Sequence, residues 1–170
     1  MDNVFVIRRS FLLPLGLLVI LTIALLAVCL AQGQPAGKLI ILGCLLVPVL
    51  GVFVESLFRR VILLEDRVTV KKFLREKTLF FSEITALDLV IVKKRAFLTL
   101  STEEDFLILS NAYRNFPDLV AGVTEKVPEG TMTEETRENC RTVPVKTSDI
   151  VSCWLAVGLV LFILYLQLSA

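Results

Sequence analysis

The sequence contains no histidine. That excludes histidine triads, the commonest nitrogen ligand for metals, and the usual general base near neutral pH. Cysteine is sparse: Cys29, Cys44, Cys140 and Cys153, with no CxxC pair among them. Neither a zinc site nor a thioredoxin-like dithiol is indicated, and buried, inert thiols are expected. Net charge is almost absent, at +1 for 18 basic and 17 acidic residues. A chain so balanced, without a recognisable reading module, is not expected to take nucleic acid as a partner. The acidic triplet Glu103-Glu104-Asp105 lacks the further oxygen ligands that a hard cation needs, and reads as a solvated turn. No catalytic constellation is left. The chain is expected to be non-enzymatic and to need no cofactor.

What is abundant is hydrophobic length, with 55% of the residues apolar and the charges missing from three long stretches. Residues 11–31 form a run without a charge. At ~1.5 Å per residue such a run spans a bilayer core of ~30 Å. Pro14 is expected in its first turn, where a missing N–H costs little. Residues 39–58 form a second run, with Glu55 near its end. Residues 150–168 form a third, with Trp154 and Tyr165 near its two ends as interfacial anchors. Gly33, Pro35 and Gly37 lie between the first two runs and suit a tight turn. The first two helices are therefore expected to form an antiparallel hairpin.

Lysine and arginine placement orients these helices. Arg8 and Arg9 precede the first, and the short loop carries only Lys38. Arg59 and Arg60 follow the second, with Arg67, Lys71 and Lys72 soon after. Arg137, Arg141 and Lys146 precede the third, and nothing positive follows it. The positive-inside rule then puts the N-terminus and the middle domain in the cytoplasm, and the short loop and C-terminus outside an inner (cytoplasmic) membrane. Arg8, Arg9, Arg59, Arg60 and Trp154 are the expected interface anchors.

Arg8-Arg9-Ser10-Phe11-Leu12 resembles a twin-arginine export core, and Leu26-Ala27-Val28-Cys29 a lipoprotein cleavage box. Ile7 and Val28 depart from those patterns, and the apolar run exceeds the ~7–15 residues of a signal core. An uncleaved first helix is expected. Pro48 lies mid-helix, as a hinge or packing notch or as a tolerated proline. Glu55 is read as a snorkelling carboxylate or a partner of Arg59, with an ion or proton site as the alternative.

From residue 59 to 126 the pattern changes to short apolar segments broken by charges. Residues 61–64, 68–73, 78–81, 86–92, 96–101 and 105–109 read as strands, the fifth alternating with period two. Asn111 is expected to cap a helix over 112–125, with Tyr113, Phe116, Leu119, Val120 and Val123 on one face. Pro117 would let that helix start in earnest only near Phe116 or Pro117. Residues 127–149 are polar, with Pro128, Gly130 and Pro144, and read as a mobile linker in which 133–140 can form a short helix.

The expected architecture is thus α+β. A transmembrane hairpin (1–58) leads into a small antiparallel sheet or partial barrel closed by a helix (59–126). The linker (127–149) and a third transmembrane helix (150–170) follow. Arg60-Val61-Ile62-Leu63-Leu64-Glu65-Asp66-Arg67-Val68 looks like the opening hairpin of one known family. Phe81-Ser82-Glu83-Ile84 looks like its corner before the fourth strand, and the last apolar strand runs into a helix. On these residues the middle of the chain resembles the bacterial pleckstrin-homology-like (PH-like) domains of small membrane proteins. Lys93-Lys94-Arg95 stands where that family usually has a glycine-rich turn. The resemblance implies a binding or scaffolding module.

Two basic clusters are the candidate contacts with lipid: Lys71, Lys72, Arg75 and Lys77, and Lys93, Lys94 and Arg95. Near an anionic surface each such residue contributes about 1 kcal/mol of attraction. Against this, residues 59–126 hold 12 basic and 10 acidic residues, a net of only +2, and strand-end lysines also block edge pairing. The first functional expectation is an accessory or scaffold protein that binds a membrane-protein partner or a second copy of itself. The alternative is recognition of lipid headgroups or of the membrane state. Transport or catalysis through Glu55 ranks last.

Overall fold

A computed structural model describes residues 3–144 and 148–169. Lys146, one of the cations read ahead of the third helix, lies outside them. The chain is α+β and divides into two units, one of Met1–Arg8 with Phe58–Lys146 and one of Arg9–Leu57 with Thr147–Ala170.

The helical unit is built from α1 (Arg9–Ala31), α2 (Ala36–Phe58) and α5 (Ser148–Ser169). Each is long and apolar enough to cross a membrane. The first starts two residues earlier than its apolar run, so Pro14 lies inside the helix rather than in its first turn. The second continues through Pro48. Leu15, Leu18, Thr22, Leu25 and Cys29 are buried at alternating three- and four-residue steps, one stripe along α1.

Helix α1 packs along α5. Gln32, just past the end of α1, donates from Nε2 to the Gln167 carbonyl at 2.8 Å near the end of α5. Those two helices therefore run parallel. No residue of α2 is buried. Its approach to α1 is seen at Gly16, where a Cβ would come within 3.0 Å of Phe53 Cε2. The hairpin expected between α1 and α2 is thus looser than the α1–α5 pair. Without a hydrophobic drive between helices in lipid, close packing decides partners. The turn between α1 and α2 closes as a Schellman motif. Gly33 takes φ 64°, Gln34 N–H reaches the Cys29 carbonyl at 3.0 Å and Gly33 N–H the Leu30 carbonyl at 3.1 Å.

The second unit holds two antiparallel sheets. The first has the order β1-β2-β3-β4, from β1 (Asn3–Val6), β2 (Arg60–Leu63), β3 (Arg67–Lys71) and β4 (Glu76–Phe80). The other has the order β5-β6-β7, from β5 (Ala86–Val92), β6 (Arg95–Ser101) and β7 (Phe106–Ser110). One 3-10 turn, Phe81–Glu83, switches the chain between the sheets. Phe81 and Ile84, on either side of this corner, are both buried. Strand β1 has no counterpart among the sequence expectations. Val4-Phe5-Val6 pairs with Ile62-Val61-Arg60 although α1 and α2 lie between them in sequence.

The inward residues of both sheets, among them Val61, Val68, Leu87, Leu98, Leu100 and Leu109, are fully buried. Helix α3 (Phe116–Thr124) adds Phe116, Leu119, Val120 and Val123 to the same core. Gly122 permits that approach, because a Cβ there would lie 2.7 Å from Leu63 Cδ2.

Two local expectations are corrected. Asn111 does not cap the helix. It is buried, and its Nδ2 donates to the carbonyls of Lys94 and Pro144, each at 2.9 Å. The residue before α3 is Asn115 in the left-handed region at φ 53°, and Pro117 falls in the first turn, where no N–H is missed. The stretch read as a mobile polar linker is docked, and the short helix expected over 133–140 is present. Leu87 N–H bonds the Thr131 carbonyl at 2.9 Å. Helix α4 (Glu134–Arg141) is capped by the Thr133 side chain, which accepts from Thr136 N–H. That helix packs on β5 and buries Thr136. Polar composition hides this docking, because the bonds that hold it run to backbone groups of distant strands.

Candidate functional site

In an antiparallel meander successive turns fall at alternate ends of the strands. Arg60 pairs with Lys71 and Lys71 with Glu76, so the β3–β4 turn lies at the end where β2 begins. That is also the end where β1 finishes, since Val6 pairs with Arg60. Two passages between the strands and the apolar helices occur here, Arg8 to Arg9 and Phe58 to Arg59.

The second sheet brings its own basic turn to this end. Val92 pairs with Arg95 across the Lys93-Lys94 turn, and Lys93 takes φ 57°. Asn111 ties the Lys94 carbonyl to Pro144. An Ile7–Tyr113 bridge and the Arg114 N–H to Val6 carbonyl bond, 2.8 Å, then join the two sheets. Tyr113 is a hub. Its hydroxyl accepts from Arg59 Nε at 2.9 Å, its carbonyl accepts from Arg8 Nε at 3.3 Å, and the Arg59 guanidinium lies 5.6 Å from its ring centroid. Partial burial lowers the pKa of Arg8, but a guanidinium stays charged in proteins.

The candidate residues thus separate. Lys72 and Arg75 are exposed at the β3–β4 turn, and Lys71 beside them pairs with Glu76 at 3.1 Å. Arg60, Phe58 and residues 71–76 line a cleft of about 410 Å³. Lys93, Lys94 and Arg95 are exposed at the β5–β6 turn. Lys77 does not join them: its Nζ pairs with the Asp105 carboxylate and lies 5.2 Å from the Phe106 ring centroid. Arg9 begins α1 and is exposed, as is Trp154 on α5. Glu55 is exposed near the end of α2. No family model, curated protein or solved structure matches the chain. The geometry therefore carries the functional argument.

Within each sheet the acidic turn falls at the strand end opposite the basic one: Glu65-Asp66 connects β2 to β3, and Glu103-Glu104-Asp105 connects β6 to β7. Asp105 nevertheless reaches Lys77, beside the β3–β4 turn. Among the described residues no group of three or more His, Cys, Asp or Glu is placed to hold a metal ion. Burial raises the Cys140 thiol, opposed by a hydrogen bond with Thr124, which makes it a poor nucleophile.

The Asp105 carboxyl is held below the usual carboxylate range, first by Lys77 and then by the Phe106 N–H at 2.9 Å. A depressed folded-state pKa adds stability above the unfolded value of about 3.9, lost as pH falls through the folded value. Phe106 amide protection should therefore drop below about pH 4. Hydrogen exchange on Asp105→Asn checks this: the variant should lose that pH step, and an unchanged step would assign it to another group.

Proposed function

We propose that this chain is a non-enzymatic, multi-pass inner-membrane protein whose cytoplasmic PH-like unit engages anionic lipid headgroups. The observation that carries the reading is the gathering of Arg60, Lys72, Arg75 and Lys93–Arg95 at the end where the chain passes into the apolar helices. Arg8 adjoins α1 directly and Arg59 is the single residue between α2 and β2. Such short passages keep these cations close to the headgroups, where each adds about 1 kcal/mol to attraction. A lysine at φ 57° also occupies a position that glycine would take without strain.

The orientation rests on the positive-inside rule, which favours a cytoplasmic β unit. The pairing of β1 with β2 fits a chain that leaves and rejoins one side across α1 and α2, whichever side that is. A meander of four strands and three strands closed by α3 is compatible with the PH-like resemblance.

The full chain in nanodiscs, with and without anionic lipid, tests the headgroup reading. Amide exchange across residues 71–76 and 92–95 should slow when anionic lipid is present. The combined Lys72, Arg75, Lys93, Lys94 and Arg95 to glutamine variant should not respond. Exchange indifferent to lipid charge in the native chain would sink the proposal.

A second reading, docking of a membrane-protein partner or a second copy, has its own observation. The outward face of the second sheet exposes Val90 and Val92 on β5 and Phe106 and Ile108 on β7. An apolar face of this kind suits a protein contact. Cross-linking in native membranes should capture a partner through it, and a strictly single species would remove this reading.

A further inference from the structure

The β3–β4 connection is a two-residue turn, closed by the Lys72 N–H to Arg75 carbonyl bond at 2.8 Å. Its central residues are Phe73 and Leu74. Both stand in the open, Phe73 at 51% and Leu74 at 83% exposure. Leaving such side chains in water forgoes the favourable removal of their apolar surface from it. Single exposed apolar residues are ordinary, but these two are adjacent and flanked by cations on both sides. Phe73 also packs on Phe58, the last residue of α2, with ring centroids 5.1 Å apart.

We propose that Phe73 and Leu74 insert into the bilayer interface beside the end of α2, with Lys72 and Arg75 at headgroup level. This rests on the lipid reading above and names the apolar part of that surface. The occupant is lipid because the tip adjoins the end of a helix long and apolar enough to span a membrane, and its rim is cationic. An interfacial apolar segment of this kind sits about 5–10 Å into the headgroup–acyl boundary.

The test uses the full chain in nanodiscs. Trp154, the single tryptophan, is replaced by Phe, and Phe73→Trp supplies the probe. Emission should shift to the blue, and lipids brominated high on the acyl chain should quench it by about twofold or more. Leu74→Trp should behave alike, and Glu65→Trp in the β2–β3 turn at the other end of the sheet should remain water-like and unquenched. Water-like, unquenched emission from the Phe73→Trp variant would overturn the insertion. So would emission that is blue-shifted but unquenched, which marks a protein partner instead. The two proposals fail separately. Quenching in purely zwitterionic lipid, with exchange at 92–95 indifferent to lipid charge, keeps the insertion and removes the headgroup reading. Charge-dependent exchange, with no quenching of the Phe73→Trp probe, does the reverse.

Discussion

Replacing Phe5 and Ile7 together by alanine should destabilise the β unit severely, although both residues precede the first apolar helix. Phe5 is buried opposite Val61 in the β1–β2 ladder, and Ile7 is buried where it bridges Tyr113. Truncation of a buried Phe or Ile to alanine costs about 2–5 kcal/mol, and two in one unit approach its whole stability. The effect should extend beyond β1. The strand lies at a sheet edge, but Ile7 and Arg8 also hold Tyr113 and Ala112, and through them the join between the sheets. Proteolysis of the detergent-solubilised full chain checks this. Cleavage within β2 to α3 should rise sharply, while the apolar helices stay intact. A β unit as resistant as the wild type would show that β1 is dispensable.

The second large effect is expected at Asn111→Asp. The native side chain is buried and donates to two carbonyls, those of Lys94 and Pro144. A carboxylate has nothing to donate, and it would face both carbonyl oxygens. Leaving buried partners unsatisfied costs about 1–3 kcal/mol apiece, and more when a charge is involved. The loss should exceed that of Asn111→Ala and should be concentrated at two places, the β5–β6 turn and residues 127–144. Tryptic cleavage at Arg137 and Arg141 should accelerate before global unfolding. Equal, uniform destabilisation by Asp and Ala would mean that the amide donors are not what matters there.

Both positions show where reading the chain in order runs out. Val4-Phe5-Val6-Ile7 is a short apolar segment beside a much longer one, too brief for a periodic signal. Its partner strand lies beyond two helices, and local pattern carries no information about such a pairing. Asn111 follows a strand and precedes an amphipathic run, which is where a helix cap is expected. The same side chain can satisfy any nearby carbonyl. Distant carbonyls outcompeted the local role. The polar tract after Val127 misleads for the same reason. Thr136 and Asn139 look solvated by composition, yet Thr136 is buried, and Asn139 Nδ2 reaches the Leu89 carbonyl at 3.4 Å.

Other elements were legible because their signal is local. Residues 86–92 form a strand with the bounds expected from the sequence. The corner at Phe81-Ser82-Glu83-Ile84 turns where the apolar pattern breaks. The three long apolar runs became the three helices, since roughly 20 consecutive apolar residues admit few other structures.

The candidate site divides along the same line. Which residues are cationic, and that they cluster near hairpin ends, follows from the sequence by itself. So do the absence of histidine and the length of the apolar helices. That the β3–β4 and β5–β6 turns share one end of the unit, with Lys77 drawn away to Asp105, was decided only by the tertiary structure. Antiparallel pairing sends alternate turns to opposite ends of each sheet, and the Ile7–Tyr113 bridge with the Asn111 bond to the Lys94 carbonyl brings the β5–β6 turn toward the end where β1 finishes. A net charge summed along the chain cannot register that separation, because it depends on where each strand reverses in space.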